Sequence, residues 1–273
     1  MSRRLTDRDR AILSALGRHR VFTSVQLTEM FFDSQKRALW RLLELYRMTA
    51  VDRFQPYRPG WGAYPYHYVL GRLGVVLVAA TAEADANTVA RRWRPDRGLA
   101  LGRPERLARL VGLNGFCAAL VAHARRHPGS RLLDWMTEAE VCHWVDRMVA
   151  PHAYGQWCQD GVTLEFFVEW DRLETAEYLR ARVKHYAELE TDRGTSTWVL
   201  FAFPSARREA AVRAALADAT VPVATTVAGD VGPDSAVWWP LSGHGGRVRL
   251  VDLAGVPKPP EAVQRTASGS LRD

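Results

Sequence analysis

Cysteine is scarce and ungrouped: Cys117, Cys142 and Cys158 stand apart in a chain of 273 residues. An odd number without CxxC spacing excludes a disulfide framework and a cysteine-built zinc site, and leaves reduced thiols packed as core filler. Lysine is nearly missing, with Lys36, Lys184 and Lys258 the only three among 37 basic residues. No uninterrupted apolar run approaches the roughly 20 residues that span a membrane. The opening MSRRLTDRDR is basic but no apolar stretch follows, so no signal peptide is expected. These absences predict a cytoplasmic protein without membrane contact. HExxH and GxSxG are absent too, and GHGG at Gly243 to Gly246 has no phosphate-loop lysine. Nothing orients Ser242 and His244 as nucleophile and base, and no cofactor is assigned.

What is present is charge, unevenly spread. The formal net charge is +7, but residues 1 to 130 hold 22 Lys and Arg against 10 Asp and Glu, while residues 131 to 273 hold 15 against 20. A first half at +12 is an electrostatic footprint for a polyanion, of which nucleic acid is the usual one. The length suits two domains.

The first 70 residues carry a motif that fits this charge. Thr6 and Asp9 precede Ile12, Leu13 and Leu16, which predicts a capped helix ending near His19. Thr23 caps a short second helix, with Val25, Leu27 and Phe31 expected inside. Ser34 caps a third, SQKRALWRLLELYRM, in which Ala38, Leu42 and Leu45 repeat at helical spacing while Lys36, Arg37, Arg41 and Arg47 remain for the other face. Two strands, Ala50 to Phe54 and Tyr66 to Leu70, flank a Pro/Gly-rich loop. Three helices followed by strand, loop and strand is the order of a winged helix, whose third helix enters the major groove of duplex DNA. Gln35, Lys36, Arg37 and Arg41 are therefore assigned to the groove, and Arg53 and Arg58 to phosphate or the wing. Trp40 is compatible with core or surface.

Farther on, Arg106 to Arg126 predicts a long amphipathic helix, Leu132 to Trp135 a strand and Glu138 to Met148 a helix. In LEFFVEWDRLETAEYLRARVKHY, Leu164, Phe166, Val168 and Trp170 alternate with Glu165, Phe167, Glu169 and Asp171. That period of two puts Glu169 and Asp171 on one side of a strand, with Phe167 making their face partly apolar. A helix follows, with Arg180, Arg182 and Lys184 on its flanks. QWCQDGVTL predicts a hairpin turn that aims Asp160 away from the strand centre. TSTWVLFAFPS, ARREAAVRAALADA and VPVATTV continue as strand, helix, strand, the rhythm of an α/β sheet.

The order LTDRDRAIL, HRVFTSVQL, LWRLLELYRM, YPYHYVLGRLG, LLDWMTEAEV, PHAYGQW, FFVEWDRLET and VWWPLSGHGGRVRLVDL resembles the replication-relaxation family of actinobacterial plasmids and mobile elements, over most of residues 5 to 255. The resemblance implies a mixed α+β and α/β chain: a winged helix-turn-helix followed by a domain like the PD-(D/E)xK restriction endonucleases. The expected division is a DNA-binding domain over 1–75, a helical basic connector over 76–130, the nuclease-like domain over 131–255 and a disordered tail over 256–273. In such a nuclease Glu138, Glu169 and Asp171 are catalytic, Glu169 and Asp171 as ligands of Mg²⁺ or Mn²⁺, with Lys184 near the scissile phosphate. Two positions depart from the pattern: His152 stands where an acid is expected, and Arg182 where a lysine is. The expectation is a double-stranded DNA-binding protein of a plasmid or mobile element, with a catalytically degenerate domain used for assembly. The alternative is a Mg²⁺- or Mn²⁺-dependent endonuclease or nickase. In the degenerate case Glu169 and Asp171 pair with Arg180 and Arg182. A homodimer is expected from Trp144, Trp157, Trp238 and Trp239, with a replication or conjugation protein as a further partner.

Overall fold

The computed structural model describes residues 5–58, 62–81, 104–171, 174–229, 232, 235–243 and 245–259. It is a mixed α+β chain in which three short helices accompany a three-stranded sheet and a two-stranded ribbon, and a six-stranded sheet follows. Helix α1 (Asp7–His19) starts at a reciprocal cap, with Thr6 accepting from the Asp9 N–H and the Asp9 carboxylate accepting from the Thr6 N–H. The same device, Thr23 with Gln26, opens α2 (Ser24–Phe31). Helix α3 (Gln35–Arg47) buries Ala38, Leu42 and Leu45 as its spacing predicts. Val25 corrects the reading of α2: it is exposed, because Leu27 and Met30 already supply the buried side of so short a helix.

Strands β1 (Phe22–Thr23), β2 (Val51–Phe54) and β5 (His67–Leu70) form a small antiparallel sheet in the order β1-β5-β2. β1 is too short to show a period in the sequence. Between β2 and β5 lies a two-stranded ribbon, β3 (Tyr57–Arg58) with β4 (Gly62–Ala63). Helix α4 (Arg72–Thr81) follows, and the rest of the expected connector up to residue 103 lies outside the described residues.

Helix α5 (Pro104–Arg126) ties the two halves together. One side contributes Ala118 and Val121 to the core of the first three helices, and the other brings Leu113, Cys117 and Leu120 to the large sheet. Polar contacts fix the junction: the Asn114 amide donates to the carbonyls of His19 and Val21, and Gln26 Nε2 donates to the Val111 carbonyl at 2.8 Å. Most of the described part of the expected connector is thus a helix packed on two sides. By length and composition it is also apolar enough to cross a membrane, at a mean hydropathy of 1.4. The run is hidden from a residue-by-residue reading by Arg109 and Asn114, which are buried inside the protein.

The large sheet runs β11-β10-β9-β8-β7-β6, from β6 (Ser130–Thr137), β7 (Ala153–Gln159), β8 (Val162–Trp170), β9 (Trp198–Phe203), β10 (Val223–Val227) and β11 (Trp239–Pro240). β6, β7 and β8 are an antiparallel meander, and β8, β9 and β10 are parallel, joined by α7 (Ala176–Arg193) and α8 (Ala206–Ala215). Parallel neighbours need such crossover helices. Asp160 and Gly161, both at positive φ, make the two-residue β7–β8 turn expected for Asp-Gly. The alternation in β8 is realised: Leu164, Phe166 and Val168 face α5, while Phe167 faces α7 and α8. Helix α6 (Glu138–Trp144) ends earlier than the sequence suggests, since Asp146 and Arg147 both take positive φ. Beyond β10, an isolated antiparallel bridge joins Trp238 to Val248, and a 3₁₀ turn follows at Val251–Gly255.

Helix α5 meets Trp170 so closely that Gly112 is required. A Cβ added there would lie 2.3 Å from the indole Cζ2. We expect Gly112→Ala to lower stability by about 1–3 kcal/mol through overpacking, despite the better helix propensity of alanine, as a thermal melt would record.

Candidate functional site

Two regions carry the predicted site residues. The first is the outer face of α3. Gln35, Lys36 and Arg37 are exposed in its first turn, and Lys36 and Arg37 hold no ion pair among the described residues. Arg47 is exposed one face-turn beyond and bonds Glu44 at 2.9 Å. Trp40 is a surface residue, 63% exposed.

Arg41, assigned to the groove from its charge, is turned inward. Its Nε donates to Asp9 Oδ1 at 2.9 Å and its Nη2 to Oδ2. The Asp9 side chain is fully buried, so the guanidinium neutralises it. Burial pushes the Asp9 pKa up, but the bonds from Arg41 and from Thr6 outweigh it and hold the carboxyl below its ordinary value. The sequence signal was present: Arg41 lies beside the Ala38, Leu42 and Leu45 stripe rather than opposite it.

Arg53 is stacked between two rings, 4.7 Å from the Tyr46 centroid and 4.3 Å from that of Tyr66, which points a stiffened cation from β2 beside α3. Arg58 belongs to β3, and its side chain lies outside the described residues, as does Trp61.

The second region is a cavity of about 190 Å³ lined by Arg109, Glu138, His152, Glu169, Asp171, Glu174 and Arg182 among others. Five of the sequence-predicted residues therefore meet: Glu138 at the start of α6, His152 just before β7, Glu169 near the end of β8, Asp171 just after it and Arg182 of α7. Lys184 does not join them. It is exposed on α7 and absent from the lining, because residues 182 and 184 fall about 200° apart on a helix.

The carboxylates are already engaged. Glu169 Oε1 accepts from Arg182 Nε at 2.6 Å and from the Tyr186 hydroxyl. Arg182 also donates to the Ala150 carbonyl. Burial raises the Glu169 pKa above its ordinary value against the pull of Arg182, and the same pair raises that of Arg182. The Trp170 N–H donates to His152 Nδ1 at 2.9 Å, which makes that nitrogen an acceptor. The Glu169 Oε2 lying 3.1 Å from it is thus a close neighbour rather than the partner of an imidazolium. Asp171 accepts a two-pronged bond from Arg208, at 2.9 Å on each oxygen.

The expected pairing is therefore half corrected. Arg182 does hold Glu169, but Asp171 goes to Arg208 of α8, and Arg180 donates to the Ala215 carbonyl instead. Arg208 escaped the sequence reading because 37 residues separate it from Asp171. Its signal is Arg207 and Arg208 in the first turn of α8, where cations oppose the helix dipole unless a carboxylate faces them.

These residues do not fit a divalent ion. Such an ion needs converging, uncommitted oxygens, and among the described residues no three acids, histidines or cysteines are grouped to hold one. Glu138, ion-paired to Arg109 at 3.5 Å, is exposed at the rim. Asp160 sits in the turn at the opposite end of β8 and cannot replace the missing acid. His123 of α5 and His127, just past its end, stack at 3.9 Å, with His123 bonded to Ser130.

Of the tryptophans expected at an interface, Trp157 and Trp238 are core residues. Trp239 lies under Arg213 at 3.6 Å, and Trp144 under Arg193 at 4.0 Å.

Comparison with curated proteins and with solved structures finds no match. The sequence profile described as replication-relaxation matches residues 13–198, about two thirds of the chain, from the middle of α1 to the first residue of β9. The chain belongs to the replication-relaxation family.

Proposed function

We propose that this is a double-stranded DNA-binding protein of a plasmid or mobile element, in which the first unit is a winged helix and the second a closed, nuclease-like scaffold used for assembly. The family supports a role in replication or in processing the DNA of such elements. The observation that carries the binding reading is the exposed start of α3. Lys36 and Arg37 occupy a helix first turn, where the dipole disfavours cations, and Ser34 makes no side-chain cap bond. Phosphate would relieve both conditions, and the ribbon β3–β4 has the position of a wing. Arg53 supplies a stiffened phosphate contact beside them.

For the second unit, α5, β6, β7, β8, α7 and β9, with α6 inserted between β6 and β7, match the order expected of a PD-(D/E)xK fold, with His152 just before β7 and Glu169 near the end of β8. Arg182 and Arg208 occupy the carboxylates that metal would need, which supports a scaffold over an endonuclease. Self-association keeps only Trp144 and Trp239 as surface support. A replication or conjugation protein remains the proposed partner.

The test is retention of fragments of the protein's own replicon at two salt concentrations. Affinity should fall steeply with salt. Lys36→Ala with Arg37→Ala should reduce the slope of log K against log salt by about 2 and weaken binding several-fold, without changing thermal stability. Binding that ignores both salt and the double substitution would remove the winged-helix assignment. Supercoiled plasmid should stay intact with Mg²⁺ or Mn²⁺. Nicking that Glu169→Ala abolishes would restore the endonuclease.

A further inference from the structure

An exposed tryptophan on a charged helix needs a reason, because its ring leaves apolar surface in water that burial would stabilise. Trp40 is the most exposed of the large hydrophobic side chains among the described residues. At 100° per residue it stands opposite Ala38, Leu42 and Leu45, at the centre of the outward face of α3. Lys36 precedes it by one turn on that face, and Arg37 flanks it. The nearest acid on the same face is Glu44, whose carboxylate is taken by Arg47. Leu39 is exposed beside it at 40%. The face is thus an apolar centre with uncompensated positive charge around its N-terminal half.

Two occupants could cover such a face. A second copy of the chain, paired symmetrically through α3, would set Lys36 and Arg37 against their own images, and like charges repel. Duplex DNA reverses that sign. In the major groove, however, nearly everything a base edge offers is polar, and the apolar feature is the C5-methyl group of thymine. The indole has one N–H donor and no acceptor, so it cannot make the two-pronged contacts by which arginine or asparagine reads guanine or adenine.

We infer that Trp40 is a specificity-determining residue that packs against thymine methyl groups in the major groove, so that the preferred sequence contains a thymine at the position the indole covers. This rests on the DNA-binding reading. It assigns the two properties to different residues: Lys36 and Arg37 hold the phosphates and contribute affinity on any sequence, and Trp40 discriminates among sequences. Trp40 is exposed, so replacing it removes no core contact.

The test uses the full-length protein and a pool of duplexes with a randomised centre, selected in parallel with wild type, Trp40→Ala and Trp40→Phe. The wild type should enrich a motif containing thymine. Trp40→Ala should lose the preference at that position while keeping its affinity for unrelated duplex and its circular dichroism, and Trp40→Phe should keep part of the preference. Replacing that thymine by deoxyuridine, which lacks only the methyl group, should weaken wild-type binding by about fourfold per methyl and leave Trp40→Ala unchanged. An unaltered motif from Trp40→Ala, or an equal affinity for thymine and deoxyuridine, overturns the inference while leaving DNA binding in place. Conversion of a dimer to monomer by Trp40→Ala, with the motif intact, overturns it in favour of a second copy. Failure of the wild type to retain any duplex, at low or high salt, overturns the inference and the DNA-binding reading together.

Discussion

Arg182→Met is expected to lower the free energy of unfolding by about 3–5 kcal/mol in a urea titration, the cost of leaving a buried carboxylate without its cation. Glu169 is 2% exposed, and with Arg182 gone the hydroxyl of Tyr186 is the side-chain donor left to it among the described residues. The control is Glu169→Gln combined with Arg182→Met. Removing both charges should recover at least half of the loss, since the unpaired charge, not the missing contact, causes most of it. The pH dependence follows from the sign of the shift. The Glu169 pKa is raised in the folded state, so the stability linked to its proton is present at low pH and lost as pH rises through the folded value. Removing Arg182 raises that pKa further, because the attraction that opposed burial is gone. The deficit of Arg182→Met should therefore be largest near neutral pH and shrink on acidification. A deficit below about 1 kcal/mol at neutral pH would mean that the pair is solvated and the cavity open to a metal ion after all.

Arg41→Ala is expected to cost about 3 kcal/mol, again by stranding a buried carboxylate, here Asp9 at the mouth of α1. Its pH signature has the opposite sign. The Asp9 pKa is lowered in the fold, so its contribution is present above the ordinary value of 3.8 and is lost as pH falls through the folded value. The wild type should lose this contribution in acid, and Arg41→Ala should show a flatter acid limb. Because Arg41 faces Asp9, its removal should leave the salt dependence of DNA binding unchanged once the variant is held under folding conditions. A slope reduced by about 1, with stability unaltered, would return Arg41 to the DNA-contacting face of α3.

The two pairs illustrate what a single sequence can and cannot convey. Caps and faces are local. Thr6 with Asp9, the cap at Thr23, the Ala38, Leu42 and Leu45 stripe and the alternation along β8 each depend on residues within one or two turns or a few strand positions. Their readings therefore needed no knowledge of the rest of the chain. The same holds for the Asp-Gly turn that removes Asp160 from the site. Identical reasoning put Glu169 and Asp171 on one side of a strand, and both do line one cavity.

Partner choice is not local. The sequence by itself determined that basic side chains lie near these acids, that three helices precede a sheet and that the first half carries the positive charge. Only the tertiary structure decided that Arg208 rather than Arg180 takes Asp171, because β9 pairs with the end of β8, Asp171 bonding Ala202, and α8 begins just past β9. It likewise decided that Arg41 turns inward to Asp9 and that α5 is covered on both sides. A charge on a helix flank costs little to present either to water or to a neighbouring acid, so periodicity cannot distinguish the two. Burial of the acid decides it: a carboxylate with no access to water must be neutralised by whichever cation the fold brings within reach.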